Sequence, residues 1–385
     1  MDDLLLALSH RIRARRDDVS VRRQRLSRHY TCRCGNCIYF ADTRCRECGA
    51  TLGYLPDEGR LAALDEGPRA GTWLADGHVG LLEYCANHET PAACNWMVDA
   101  DSPEQFCTSC RLTRAVPDLS DPDNADYWAR IEAAKRRLVS QLLALGPPLR
   151  SKVHDDPQNG VVFDFLRSPP EGPRVMTGHA SGLITLNVEE ADDAKREEIR
   201  NDLREPYRTL LGHFRHEIGH YYWDRLIWGT EWLEPFRAVF GDERASYAEA
   251  LQRNYEHGPP ANWADAHVSA YATMHPWEDW AETWAHYMHM TDSLTTAMGF
   301  GFDADDIEGD IDRYGEDILH APNDRHADHF LALLNGWREI ALVLNEMARS
   351  MGQPDIYPFV ISPPAAAKLQ FVQMVVSDAR ARSAA

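Results

Sequence analysis

All nine cysteines of this 385-residue chain fall between Cys32 and Cys110, and the rest of the chain has none. Cysteines used as small buried hydrophobes would be scattered through the core, so this confinement points to sulfur chemistry. The only apolar N-terminal run, Leu4–Leu8, follows two aspartates and is too short for the core of a secretory signal, so the expected compartment is the cytoplasm. Thiols stay reduced there, which favours thiolate–metal sites over disulfides. The first group is Cys32, Cys34, Cys37, Cys45 and Cys48. Cys34-x₂-Cys37 and Cys45-x₂-Cys48 have the spacing of the two knuckles of a zinc ribbon, with Gly35 and Gly49 suited to the tight turns. Five thiols for four positions leave one over: Cys34, Cys37, Cys45 and Cys48 form the expected set, with Cys32 able to replace one of them. The second group, Cys85, Cys94, Cys107 and Cys110, supplies four thiolates for one further tetrahedral site. A closed four-thiolate site keeps no open coordination position, so both zinc ions are expected to be structural.

The charge balance narrows the partners. With 40 basic and 60 acidic residues the chain carries −20, which sets it against phosphate backbones and against nucleic acid as the main partner. Residues 1–28 are the exception, with eight Arg and no Lys, and are expected to form a polar helical extension. No run approaches the 18 or so apolar residues that a membrane-spanning helix requires, so no membrane span is expected.

Turn and periodicity signals divide the rest. The turn-rich stretch DLSDPDNAD (118–126) leads into helical spacing over Tyr127–Leu145, stopped by Gly146-Pro147-Pro148. Strand patterns run over Val161–Phe165 and Gly182–Asn187. From Pro206 onward the pattern is mostly helical, with tail helices near 324–350 and 363–380 separated by Pro354 and Pro358. The expected division is an Arg-rich extension (1–28), a ribbon module with both Cys groups (29–115), a linker and helix (116–150), a catalytic domain (151–320) and a C-terminal helical segment (321–385).

Within Pro206–Leu226 lies His216-Glu217-Ile218-Gly219-His220, the HExxH pattern, among apolar residues at helical spacing. Pro206 suits the first helical position. Histidines at i and i+4 stack one turn apart, so both imidazoles reach one Zn²⁺. Glu217, turned about 100° from His216, is placed to act as general base on a zinc-bound water.

A third ligand has to come from another helix. In Ser269–His289, Pro276 suits a helix start, Trp277, Trp280, Trp284 and Tyr287 mark a buried face, and Glu278 and Glu282 lie on another. Glu278, in the first turn where the helix dipole favours a carboxylate, is the expected ligand. Glu282 is then its neighbour, bonding the far nitrogen of a ligand histidine, although the i, i+4 pair leaves the reverse assignment open. Tyr271 is a candidate donor to the oxyanion of a tetrahedral intermediate. His213, a turn before His216, is a candidate for the layer behind the metal. The acidic run Asp303–Asp317 has no Gly at the sixth position of any calcium loop and reads as solvated.

These residues resemble bacterial zinc-binding metallopeptidases with an N-terminal zinc ribbon. The phrases that carry the resemblance include CIYFADTRCRECGATLGYLP, YCANHETPAACNWMV, TGHASGLITLNVEEADDAKRE, EPYRTLLGHFRHEIGHYYWDRL, HPWEDWAETWAHYMH and MGQPDIYPFVISPPAAAKLQFV, within roughly residues 29–375. The resemblance implies a gluzincin-like hydrolase with His216 and His220 as ligands and Glu217 as base. Tyr271 and Glu278-x-x-Ala281-Glu282 are also similar to a Tyr…Glu-x-x-Ala-Glu stretch in the catalytic domain of anthrax lethal factor, which implies the same roles for Tyr271 and Glu278. The extra Cys in the first knuckle and the Arg-rich extension depart from the family pattern.

The expectation is therefore an α+β, zincin-like and mostly helical catalytic domain behind a Cys-rich zinc-ribbon module. Its activity would be zinc-dependent cleavage of peptide or protein substrates, with endopeptidase action expected and one catalytic and two structural zinc ions. The strand Gly182–Asn187 is expected to be the edge that holds substrate by main-chain pairing. The competing expectation is an inactive zinc-stabilised scaffold or adaptor. Oligomeric state is not legible.

Overall fold

The computed structural model describes residues 29–202, 208–302 and 312–384. The extension expected over 1–28, the helix start at Pro206 and most of the acidic run lie outside them.

The Cys-rich part is built from short strands. A hairpin of β1 (Tyr30–Thr31) and β2 (Cys37–Ile38) precedes a five-stranded antiparallel meander of β3 (Thr51–Leu55), β4 (Arg60–Glu66), β5 (Trp73–Ala75), β6 (Leu82–Tyr84) and β7 (Met97–Asp99). Gly35 and Gly49 take φ of 87° and 72°, the left-handed turns that glycine accepts without a Cβ clash. Between them and β7 a small aromatic core forms, with the fully buried Trp96 ring 4.9 Å from that of Tyr54.

β8 (Thr113–Ala115) follows Cys110 at once but joins a different sheet. That sheet has the order β10-β11-β9-β8, with β9 (Val162–Leu166) parallel to both β8 and β11 (Leu183–Asn187), and β10 (Gly178–Ala180) antiparallel to β11. The strand expected to be the edge is therefore internal, flanked by β9 and β10, and β10 is the free edge on that side. The reason is local. Ser181 (φ 49°) and Gly182 (φ 80°) make a two-residue turn that folds the chain back one strand earlier than the apolar alternation indicates. A Cβ on Gly182 would lie 2.4 Å from the Gly160 carbonyl oxygen, so the position requires glycine twice over.

Helices cover the sheet. α1 (Pro122–Leu145) starts with the Asp121 carboxylate accepting from the Asp123 amide at 3.0 Å and stops at Gly146 in the left-handed conformation. α2 (Asp193–Asp202) leads to α3 (Leu210–Tyr222), which begins at a Thr209 cap, its hydroxyl accepting from Gly212 N at 2.9 Å, rather than at Pro206. A π turn over Trp223–Ile227 prolongs α3. After α4 (Leu233–Phe240) and α5 (Tyr247–His257) comes α6 (Pro276–Gly299), with Pro276 in its first turn and His275 Nδ1 accepting from the Trp277 amide at 3.1 Å. α7 (Ala327–Ser350) and α8 (Pro363–Ala384) pack against α6.

α3 and α6 cross closely because Gly219 has no side chain; a Cβ there would stand 3.1 Å from Ala281 Cα and 3.2 Å from Trp284 Cβ. Trp280 Nε1 donates to the Gly219 carbonyl at 2.9 Å, which fixes the crossing further. The architecture is α+β, a Cys-rich ribbon followed by a mostly helical layer, with one contiguous core running from Tyr30 and Cys94 through Phe163 and Phe214 to Trp284 and Phe371. No described helix is long and apolar enough to cross a membrane.

Candidate metal centres and active site

The α3–α6 crossing brings His216, His220 and Glu278 together. His216 Nε2 lies 3.1 Å from His220 Nε2 and 3.0 Å from Glu278 Oε2, and His220 Nε2 lies 3.4 Å from the same oxygen. A tetrahedral ion with bonds of about 2.0–2.1 Å separates its ligand atoms by about 3.3 Å, close to this triangle. His216 Nδ1 donates to Glu282 Oε1 at 2.7 Å, so its Nε2 carries a bare lone pair facing the others. The Ser269 hydroxyl donates to the other Glu282 oxygen at 2.5 Å, holding that carboxylate behind the histidine. Glu278 Oε2 is sealed from solvent and accepts no hydrogen bond, and its Oε1 accepts from the Tyr247 hydroxyl at 2.8 Å. Three ligand atoms converging on one point at these separations are what a zinc ion satisfies, so the residues fit the metal.

The electrostatics agree. Burial works against a charged His216, but Glu278 and Glu282, one at each ring nitrogen, outweigh it and hold its pKa well above the ordinary value. Burial alone would raise the Glu278 carboxyl, yet the neighbouring His220 and His216 hold it well below its usual range. The site calls for a positive charge, which a divalent cation supplies with bonds to all three.

Around this triangle, the Trp277 indole lies on the His220 imidazole, ring centres 3.8 Å apart. The Tyr271 ring centre is 6.0 Å from that of His216. Burial first, then the Glu278 carboxylate and Tyr247, push the Tyr271 phenol far above its ordinary pKa, so it stays a proton donor. Glu217 is buried, and its Oε2 has no hydrogen-bond partner among the described residues. His213 turns away from the metal ligands: its Nδ1 sits 3.1 Å from Glu190 Oε2, in a separate cluster with Arg208. Placing it behind the metal fails because at i−3 from His216 it faces the turn before α2 and not α6. Tyr247 is the residue that the sequence did not single out; it opens a polar helix 31 positions before its partner, with no local pattern to mark it.

Both thiolate groups assemble. Cys32, Cys34, Cys45 and Cys48 converge, with Sγ–Sγ separations of 3.7 Å for Cys32–Cys48 and Cys34–Cys45. Cys37 stands outside, which replaces the expected set with the one containing Cys32. In the β1–β2 hairpin Cys37 pairs with the exposed Thr31, on the face opposite the buried Tyr30 and Ile38. Cys85, Cys94, Cys107 and Cys110 form the second group, with Cys94 and Cys107 also 3.7 Å apart. Tetrahedral zinc with bonds of about 2.3 Å to sulfur sets its sulfurs about 3.8 Å apart, whereas a disulfide needs about 2.05 Å.

Residues 124–375 match the family described as "Putative zinc-binding metallo-peptidase", and residues 29–121 match a zinc-ribbon domain. A protein of Mycobacterium tuberculosis and one of Mycobacterium bovis, each described only as an uncharacterized protein, are 40% identical to this chain over 346 residues, covering 90% of it and 94% of their own length. No solved structure matches.

Proposed function

The chain belongs to the zinc-binding metallo-peptidase family, and from that premise we propose that it is a zinc-dependent peptidase of the HExxH gluzincin type acting on peptide or protein substrates, with endopeptidase action. The observation that carries the reading is the triangle of ligand atoms on His216, His220 and Glu278 beside the buried Glu217 carboxylate, whose Oε2 has no hydrogen-bond partner among the described residues. Zinc held there would lower the pKa of a water molecule and polarise the scissile carbonyl. Glu217 takes the proton of the attacking water and passes it to the leaving amine. Tyr271, kept protonated, donates to the oxyanion that develops on the substrate. Glu282 fixes the tautomer of His216, and Tyr247 orients Glu278. The thiolate groups hold structural zinc, and at the histidine site only three ligand atoms converge among the described residues, which leaves a coordination position for water.

Substrate alignment is assigned to β10. The pair Ala180–Leu183 closes the two-residue turn, so by antiparallel alternation His179 turns its backbone N–H and C=O to the free edge, available to an extended peptide.

Glu217→Gln tests the function. Zinc content should stay unchanged, while hydrolysis of a mixed peptide library, followed by mass spectrometry, should fall by about 10²-fold or more. A wild-type protein that cleaves nothing, or a variant that cleaves as fast, overturns the reading and leaves a zinc-stabilised scaffold.

A further inference from the structure

Burial of its own helix does not hold Tyr247 on Glu278. Of the described residues of α5 only Ala250 is buried, and Tyr247 itself is exposed. Its hydroxyl nevertheless donates to Glu278 Oε1 at 2.8 Å, across 31 positions of sequence. The buried His275 links the two elements. Its Nε2 lies 3.0 Å from the carbonyl oxygen of Ala245, two residues before Tyr247. A carbonyl only accepts, so that nitrogen carries the ring proton. The other nitrogen, Nδ1, accepts from the Trp277 amide at 3.1 Å and caps α6. The His275 carbonyl accepts from the Glu278 and Asp279 amides, both at 2.9 Å. The His275 and Tyr247 rings also meet edge to face, centres 5.4 Å apart.

One neutral imidazole therefore fixes both the turn that carries Glu278 and the segment that opens α5. We propose that His275 is a positioning residue of the histidine metal site, tying the first turn of α6 to the start of α5 so that Tyr247 stays on Glu278. The remaining Glu278 oxygen is then held at 3.0 Å from His216 Nε2 and 3.4 Å from His220 Nε2. This role depends on the triangle being a zinc site, as proposed above, and is exerted through Tyr247. The two functions of the ring can be separated. Asparagine caps a helix well, but its amide nitrogen ends one bond short of the imidazole Nε2 and cannot reach Ala245 in the same way.

Competition with a chromogenic chelator, on the full chain with both thiolate groups loaded, gives the zinc dissociation constant of the histidine site. His275→Asn keeps the cap and breaks the tether, so it should raise that constant about tenfold or more, and Tyr247→Phe should do the same. In the Tyr247→Phe background, His275→Asn should add less than about twofold, because the tether then has no hydrogen bond to hold in place. With Co²⁺ in the site, the two single variants should shift the visible absorption bands in the same direction. Unchanged affinity in a folded His275→Asn, or a loss that adds in full to that of Tyr247→Phe, would overturn the proposal while leaving the zinc site intact. A wild-type histidine site that takes up no zinc would overturn it together with the metal assignment. If His275→Asn does not fold, His275→Ser carries the same expectation. Failure of both to fold would assign His275 to fold stability alone and overturn the proposal.

Discussion

Single residues set the tolerances of the α3–α6 crossing. Gly219→Ala gains about 1 kcal/mol of helix propensity. Its new Cβ, however, meets the backbone of Ala281 at 3.1 Å and the buried Trp284 at 3.2 Å, and neither can give way freely. Overpacking of about 1–3 kcal/mol should win. The expected result is a lower denaturation midpoint together with weaker zinc retention at the histidine site, because Glu278 moves with α6. Glu190 gives a pH signature. Burial would raise its carboxyl, but the hydrogen bond from His213 and the charges of His213 and Arg208 bring it from 4.5 to about 2. A folded pKa below the unfolded one stabilises above pH 4.5, and that contribution is lost as pH falls toward 2. Glu190→Gln should therefore be less stable than wild type at pH 7, and the gap, read by chemical denaturation, should narrow once the pH drops below about 4.5.

At the scale of elements, β10 is three residues long and decides where a peptide can lie. If His179 presents its amide to substrate, His179→Pro should raise KM at least tenfold above that of His179→Ala on any peptide the enzyme cleaves, with kcat less affected. Equal KM values in two folded variants would remove β10 from the binding site. The long helices were legible in outline, because caps and stops are local: Asp121 and Gly146 bound α1, and His275-Pro276 opens α6. The start of α3 was misplaced, since Thr209, three residues after a plausible Pro206, has the hydroxyl that satisfies an orphan amide. The short strand β10 escaped the sequence because three residues carry no periodicity.

For the whole molecule, the ribbon is bound into the rest: β8, next to Cys110, pairs with β9, and one core spans both parts. Metal in the thiolate sites should then stabilise the entire chain. Zinc per chain by mass spectrometry should be three in wild type and two in His216→Ala/His220→Ala, with the fold retained. Loss of the thiolate-bound zinc to a strong chelator should unfold it cooperatively. Two zinc ions in both proteins would show that the histidine triangle is not a metal site.

What the sequence determined by itself was chemistry at fixed spacing: the HExxH pair, the carboxylates at 278 and 282, and the two crowded thiol groups, all set by helix and knuckle geometry within a few residues. Only the tertiary structure decided which groups meet across the chain. It chose Cys32 over Cys37 through the facing of a two-residue hairpin, gathered Glu278 rather than Glu282 onto the imidazoles, drew in Tyr247, sent His213 to Glu190 and put β10 at the edge. The physical reason is that local spacing fixes which face of an element a side chain occupies, while the packing of distant elements fixes what that face touches.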